Sequence, residues 1–391
     1  MKNKTDIIQL FNDAQYNETY LKICAPMVRY SKVQFRNLVK KYKVDMAFTP
    51  MILANSFCQN SKARTNEFLT TKDDTPLIVQ FAANNINDFL DASKLVYPYA
   101  DGVDLNCGCP QRWAMKDGYG SALLSKPEII HDLVRSVKNN LPKDFTVSVK
   151  VRILSELKTT LTMCQQLEKC GVDFLTVHGR TPVQKSGEPI NMEFMENVFS
   201  ILKVPCIANG GVKTLEDAKK MYDSLNCQGV MAASGLLTNP ALFSGIKTTP
   251  VDCVGTWMKL KNYSGNKITF QCYHHHLVFM LEKVLTKQQK QIFNYLQTFE
   301  EVDEFLVKHI INDESISTNV SHISEFIACD FDNSITDKHN KKCRGCGIST
   351  YYCTCEKYSY ENNEGSFFSS YVKTSDDLDY MDSSIFDEKT L

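Results

Sequence analysis

No run of eighteen or more consecutive apolar residues occurs in this 391-residue chain, which leaves no candidate for a membrane-spanning helix. The first twenty residues are polar, with Lys2, Lys4, Asp6, Asp13 and Glu18 where a secretory leader would be apolar. The expectation is a protein of the cytoplasm, with the nucleus as the other compartment open to it. Missing as well is a glycine fingerprint after the first strand-like run. Ala25-Pro26-Met27-Val28-Arg29 stands there instead, which argues against an open, doubly wound dinucleotide-binding sheet. Acids are scarce from Trp257 to Lys290. Glu282 stands alone there against Lys259, Lys261, Lys267, Lys283, Lys287 and Lys290, interleaved with Tyr263, Phe270, Tyr273 and Phe279. Such a mixture suits a phosphate backbone.

Cysteine is abundant, at fifteen residues, but most lie within strand-like or helix-like patterns, as buried thiols do in a reducing compartment. The net charge of −1 is unevenly spread: from Asp330 onward twelve acids face seven bases, so the body is mildly basic and the tail acidic.

Eight short β-rich runs recur in the first 240 residues, each followed by a helical pattern: 22–25, 44–49, 76–81, 102–106, 146–152, 174–178, 205–209 and 229–233. They are continuous rather than alternating in hydrophobicity, as strands buried on both faces are. Ser31 before Val33, Ser125 with Glu128, and Thr214 before Leu215 read as helix N-caps. Eight β–α alternations predict an α/β fold, a (β/α)8 barrel. The expected organisation is an N-terminal extension over 1–20, the barrel over 21–248, a small helical domain over 249–312, and a Cys-rich, acidic, largely disordered tail over 313–391.

In such a barrel the strands' C-terminal ends converge on one mouth. They offer Pro26-Met27, Gln80, Asn106 with Cys109, Lys150 with Arg152, His178 with Arg180, Asn209-Gly210-Gly211, and Ser234-Gly235. The last two groups follow the seventh and eighth runs, where barrels commonly bind phosphate. Lys150 is a cation in an apolar strand and needs a partner, either an electron-rich ring such as a reduced flavin or a salt bridge inside the barrel. Cys109 lies in Asn106-Cys107-Gly108-Cys109-Pro110, where Gly108 frees the backbone and Pro110 fixes it. As a nucleophile it lacks an adjacent base in the sequence. A thiol of ordinary pKa is mostly protonated at neutral pH and can donate a proton, and a buried structural Cys is the plain alternative.

With these residues in view the chain resembles the tRNA-dihydrouridine synthases over about 23–311. The resemblance rests on Ala25-Pro26-Met27, Val79-Gln80-Phe81, Asn106 to Pro110, Lys150-Val151-Arg152, Val177 to Thr181 and Ala208 to Gly211. Ser61 to Arg64, Cys107 to Trp113 and His276 to Lys283 resemble the eukaryotic subfamily acting at positions 20a and 20b of the tRNA D-loop. The resemblance implies FMN in the mouth, held by Pro26, Met27, Val28, Gln80, Lys150, His178, Asn209, Gly210, Gly211, Ala233 and Ser234. It implies NADPH or NADH as reductant and Cys109 as proton donor. It further implies Asn106, Arg152 and Arg180 toward the uridine, with tRNA as partner and neither a membrane nor an obligate protein partner. Two other functions share these features, an FMN-barrel reductase of a small molecule and a tRNA-binding protein without catalysis.

One position departs from the family pattern. Where the loop after the last strand commonly reads Arg-Gly, this chain has Ser234-Gly235, a hydroxyl in place of a guanidinium. Outside the resemblance, Cys343, Cys346, Cys353 and Cys355 stand beside Lys341, Lys342 and Arg344. Four thiols this close form either a tetrahedral zinc site or part of an unstructured Cys-rich tail.

Overall fold

The structure is a computed structural model that describes residues 4–261, 268–311, 325–332 and 334–335. Nine strands run in chain order: β1 Leu21–Cys24, β2 Met46–Phe48, β3 Ile52–Leu53, β4 Leu77–Ala82, β5 Gly102–Cys107, β6 Thr146–Arg152, β7 Phe174–His178, β8 Cys206–Asn209 and β9 Gly229–Ala232. All pairings among them are parallel. β1 joins β2 to β9, each strand from β4 to β9 pairs with the next, and β2 closes on β4. β3 is a two-residue addition against the upper end of β4, so the closed barrel has eight staves, one for each run expected from the sequence. Helices connect them, and the staves are apolar on both faces because one face meets the barrel interior and the other the helical ring.

Of the three expected caps, Thr214 forms a full capping box with Asp217 ahead of helix Leu215–Leu225. The other two expectations fail for local reasons. Ser31 is one residue too early for helix Val33–Lys40, and its hydroxyl accepts from Met27 N at 2.9 Å and donates to Met27 O. Ser125 ends a 3₁₀ turn and donates to Ala122 O, so the helix Pro127–Asn140 begins without a side-chain cap. In both cases a nearby backbone group captured the hydroxyl first.

Helix Ile7–Tyr16, capped by Asp6, plugs the barrel at the strands' N-terminal end. Phe11 is 1 % exposed, and its ring lies 5.3 Å from that of Phe174, the first residue of β7. Thr5 N reaches Asp101, whose other carboxylate oxygen accepts from Leu77 N at the start of β4. Four further helices, Val251–Leu260, Phe270–Met280, Lys287–Asn294 and Phe299–His309, pack beside the barrel through Trp257 and His276 against Phe35. Burial holds His276 neutral, at a pKa of about 3. Within this part Lys261 pairs with Asp303 and Lys290 with Glu282; Lys267 lies outside the described residues.

Residues 325–332, expected as part of a disordered tail, lie against the barrel. Phe331 packs edge-on to Phe57, Phe68 and Tyr99, Ile327 N donates to Thr70 O, and Tyr99 Oη donates to Asp330 O. Ile327, Cys329 and Phe331 pack, partly buried, against the core, which ties this short segment to the barrel.

Candidate active site

Register places the polar residues of the mouth in tiers. Gln80, Asp104 and Ser148 are Cα partners across β4, β5 and β6. One step toward the mouth come Asn106, Lys150 and Thr176, and one step beyond, Arg152, His178 and Asn209. A period of two along each strand points all three tiers inward, so the expected residues of five strands, β4 to β8, converge on one mouth. Pro26, Met27 and Val28 follow β1, whose neighbour β9 leads into Ala233 and Ser234; Ala25 N bonds Ala232 O across that seam.

The segment bearing Cys109 is held from every side. Asn106 Oδ1 accepts from Gly108 N and Cys109 N, at 3.1 and 2.9 Å. Arg152 Nε donates to Gly108 O at 2.8 Å and its Nη1 to Thr181 O, tying this loop to the one after β7. Cys109 O accepts from both the amide and the hydroxyl of Ser121. Gly120, at φ +61°, takes a left-handed conformation to let that turn approach. The thiol itself faces Gln111 Oε1 at 3.8 Å, an oxygen that also accepts from Trp113 Nε1.

The electrostatics sort these groups. Burial pushes the Cys109 thiol above its ordinary pKa, against the Gln111 amide and the charges of Arg152 and Lys150, so it is protonated at neutral pH. Its hydrogen-bond partner is an amide rather than a base, which suits a proton donor and not an activated nucleophile. Burial lowers Lys150 to about 8, with Arg152 adding to the effect and Asp104 and Cys109 opposing it. Its ammonium makes no hydrogen bond or ion pair within the described residues, so the salt bridge weighed from the sequence is not formed there. His178 lies well below its ordinary pKa, through burial first and then Lys150, Arg152 and Arg180, and is neutral; Arg180 Nη1 stands 3.4 Å from its Nε2.

On the far side of the mouth, Asn209 Nδ2 donates to Met231 O, and Gly210 and Gly211 have φ of +120° and +73°. A Cβ on Gly210 would lie 2.8 Å from the His178 ring. The glycine turn thus lets backbone run directly beside the imidazole. Thr176 Oγ1 is buried without a hydrogen-bond partner, in register with Lys150. An ammonium with no hydrogen bond or close ion pair among the described residues, an unsatisfied hydroxyl and a bare backbone turn fit an electron-rich planar ring with a polar edge.

Several residues of the site went unseen in the sequence. Asp104 was readable, being an acid in an apolar strand as Lys150 is a base in one. Gln111 lay within the quoted Cys107 to Trp113 motif without a role of its own, and Gly120 and Ser121 had no sequence signal, because their role is a contact across a turn. The four tail cysteines lie outside the described residues. Among the described residues no cluster of three or more His, Cys, Asp or Glu could hold a metal, and the eleven cysteines described are free thiols.

The model of the family described as dihydrouridine synthase (Dus) matches residues 23–327. A mouse protein named tRNA-dihydrouridine(20a/20b) synthase [NAD(P)+]-like is 44% identical over 320 residues, covering 82% of this chain and 96% of the relative. The human protein of the same name is 43% identical, covering 79% of this chain and 95% of its own. The fission yeast (Schizosaccharomyces pombe) tRNA-dihydrouridine(20a/20b) synthase [NAD(P)+] is 42% identical, covering 74% and 87%. The matched span includes the barrel, the Cys109 loop and the helices that follow, and the chain belongs to the dihydrouridine synthase family.

Proposed function

We propose that this protein is an FMN-dependent oxidoreductase that reduces the C5–C6 double bond of a uridine in the tRNA D-loop, at 20a or 20b, drawing on NADPH or NADH. The observation that carries the reading is a protonated thiol fixed at a barrel mouth by Asn106, Arg152 and Ser121, near the half-buried Lys150, whose ammonium makes no hydrogen bond among the described residues. The relatives' names favour tRNA over a free small molecule as substrate.

FMN fits the residues present. Lys150 would face its electron-rich end, Thr176 its polar edge with Gln80 bracing Asn106 from below, and the turns at Asn209 to Gly211 and Ala233-Ser234 its phosphate side, with His178 neutral between them. When bound and reduced by the nicotinamide, it supplies hydride for C6 of the uracil. Negative charge then gathers at C5, and the Cys109 S–H donates its proton there, leaving a thiolate that the nearby Arg152 and Lys150 charges stabilise. The raised thiol pKa keeps that proton in place until it is needed. A stacked uracil cannot reach the thiol, so the base is flipped into the mouth, where Asn106 and Arg180 line its approach. Arg152 acts by bracing the Gly108 carbonyl. The free thiols suit a reducing cytoplasm.

The test incubates FMN-loaded protein, NADPH and an unmodified tRNA transcript, and maps dihydrouridine by mass spectrometry. Wild type should modify the D-loop and Cys109→Ala should not. A flavin-loaded wild type that binds the transcript without modifying it would sink the proposal and favour a non-catalytic binder.

A further inference from the structure

Below the rim runs a chain of polar groups that packing alone does not call for. Asp104 is fully buried in the middle of β5. Its carboxylate accepts from Ser148 Oγ at 2.7 Å and from Gln80 Nε2 at 2.7 Å. Gln80 Oε1 in turn accepts from Asn106 Nδ2 at 2.8 Å, and Asn106 Oδ1 accepts from the Gly108 and Cys109 amides. Three apolar side chains would fill this tier without the cost of burying a carboxylate.

The directions of these bonds are coupled. An ionised carboxylate only accepts, so Gln80 must turn its amino group down to Asp104 and its carbonyl up. Asn106 must then turn its amino group to Gln80, which leaves its carbonyl for the two loop amides. Reversing either amide sets two acceptors, or two donors, against each other.

We propose, resting on the reading that Cys109 is the proton donor, that Asp104 is a positioning residue. It fixes the polarity of the Gln80 and Asn106 side chains and so holds the Gly108–Cys109 backbone, and the thiol with it, in place. Burial raises Asp104 to about 6, opposed by Ser148, Gln80 and Lys150, so the relay is set at neutral pH. Lys150 from β6 is the charged group that faces it, and the Cys107 thiol of its own strand lies near.

The relay makes a compensation test available. Asn106→Asp places a second carboxylate above Gln80, so both ends compete for one amino group. Adding Asp104→Asn lets Gln80 invert: Asn at 104 donates to its carbonyl, its amino group donates to Asp at 106, and that carboxylate still accepts from the loop amides. Two readouts need neither flavin nor tRNA: hydrogen exchange of the Gly108 and Cys109 amides, and the rate of Cys109 alkylation by iodoacetamide. The single Asn106→Asp should speed exchange about tenfold or more and alter alkylation similarly, while the double variant returns both to within about threefold of wild type. A single variant that fails to fold beside a double that folds gives the same support. A double no better than the single, or one that does not fold, overturns the relay. Because loss of reductase activity moves neither readout, failure of the relay and failure of the functional reading are distinguishable.

Discussion

Gly120 and Cys109 are built as one unit: a Cβ added to Gly120 would collide with the Cys109 carbonyl oxygen and lie 2.9 Å from its Cβ. The donor that completes the contact is the next residue, Ser121, which bonds that same oxygen through both amide and hydroxyl. The placement of the thiol therefore depends on a turn eleven residues downstream as much as on its own motif.

Gly120→Ala should move the thiol. Its φ of +61° is strained for alanine and the obstructing atom is backbone, so the loop must shift. We expect dihydrouridine formation to fall at least about tenfold, with the change in Cys109 alkylation rate reporting displacement. Melting should drop by a few degrees, in keeping with about 1–2 kcal/mol.

The pH dependence of the reaction has a defined sign. A proton donor works while protonated, and burial raises the Cys109 thiol above its ordinary value. Once Asp104 is ionised, from about pH 7 upward, the single-turnover rate should not rise further, and it should fall as Lys150, at about 8, and then the thiol lose their protons. A rate that climbs with pH through this range would identify a thiolate nucleophile instead.

Asp104 has a linkage signature of its own. Its folded pKa, about 6, exceeds the ordinary aspartate value of 3.8, so the folded state binds more protons between these values and loses stability as pH rises through the window. A shift of that size corresponds to about 3 kcal/mol. Relative to Asp104→Asn, the wild type should therefore lose about that much between pH 4 and 7 in urea unfolding; parallel pH profiles would refute the assignment.

The plug and the site should separate. Phe11→Ala removes a buried ring at the end of the barrel opposite the mouth and should cost about 3–5 kcal/mol. Turnover per folded molecule should be unchanged at temperatures where the variant remains folded.

Ser234→Arg restores the guanidinium common in the family. Charge-assisted bonds to phosphate are about twice as strong as neutral ones, so FMN should bind several-fold more tightly in a fluorescence titration. Unchanged affinity would show that the hydroxyl already suffices.

The barrel and its mouth were legible because eight unbroken apolar runs admit few other folds, and because Lys150, Gln80 and His178 sit at strand ends whose convergence follows from topology alone. Ser31 and Ser125 misled as caps, since a hydroxyl takes whichever backbone group the turn brings nearest, and that is not a sequence property. Phe331 was hidden in a polar tail because a single aromatic residue gives no periodicity. The Ser121 and Gly120 contacts with Cys109 were invisible for a similar reason: they are made across a turn whose shape only the folded chain defines.

On the proposed function, electrons pass from a flavin in this mouth to tRNA, with Cys109 completing the step. The most direct measurement reduces the FMN-loaded protein anaerobically, mixes it with unmodified tRNA, and follows flavin absorbance. In wild type the oxidised spectrum should return as dihydrouridine forms, and in Cys109→Ala that return should slow by at least about a hundredfold. A flavin that stays reduced in wild type with tRNA bound, or one reoxidised equally fast in the variant, would contradict it.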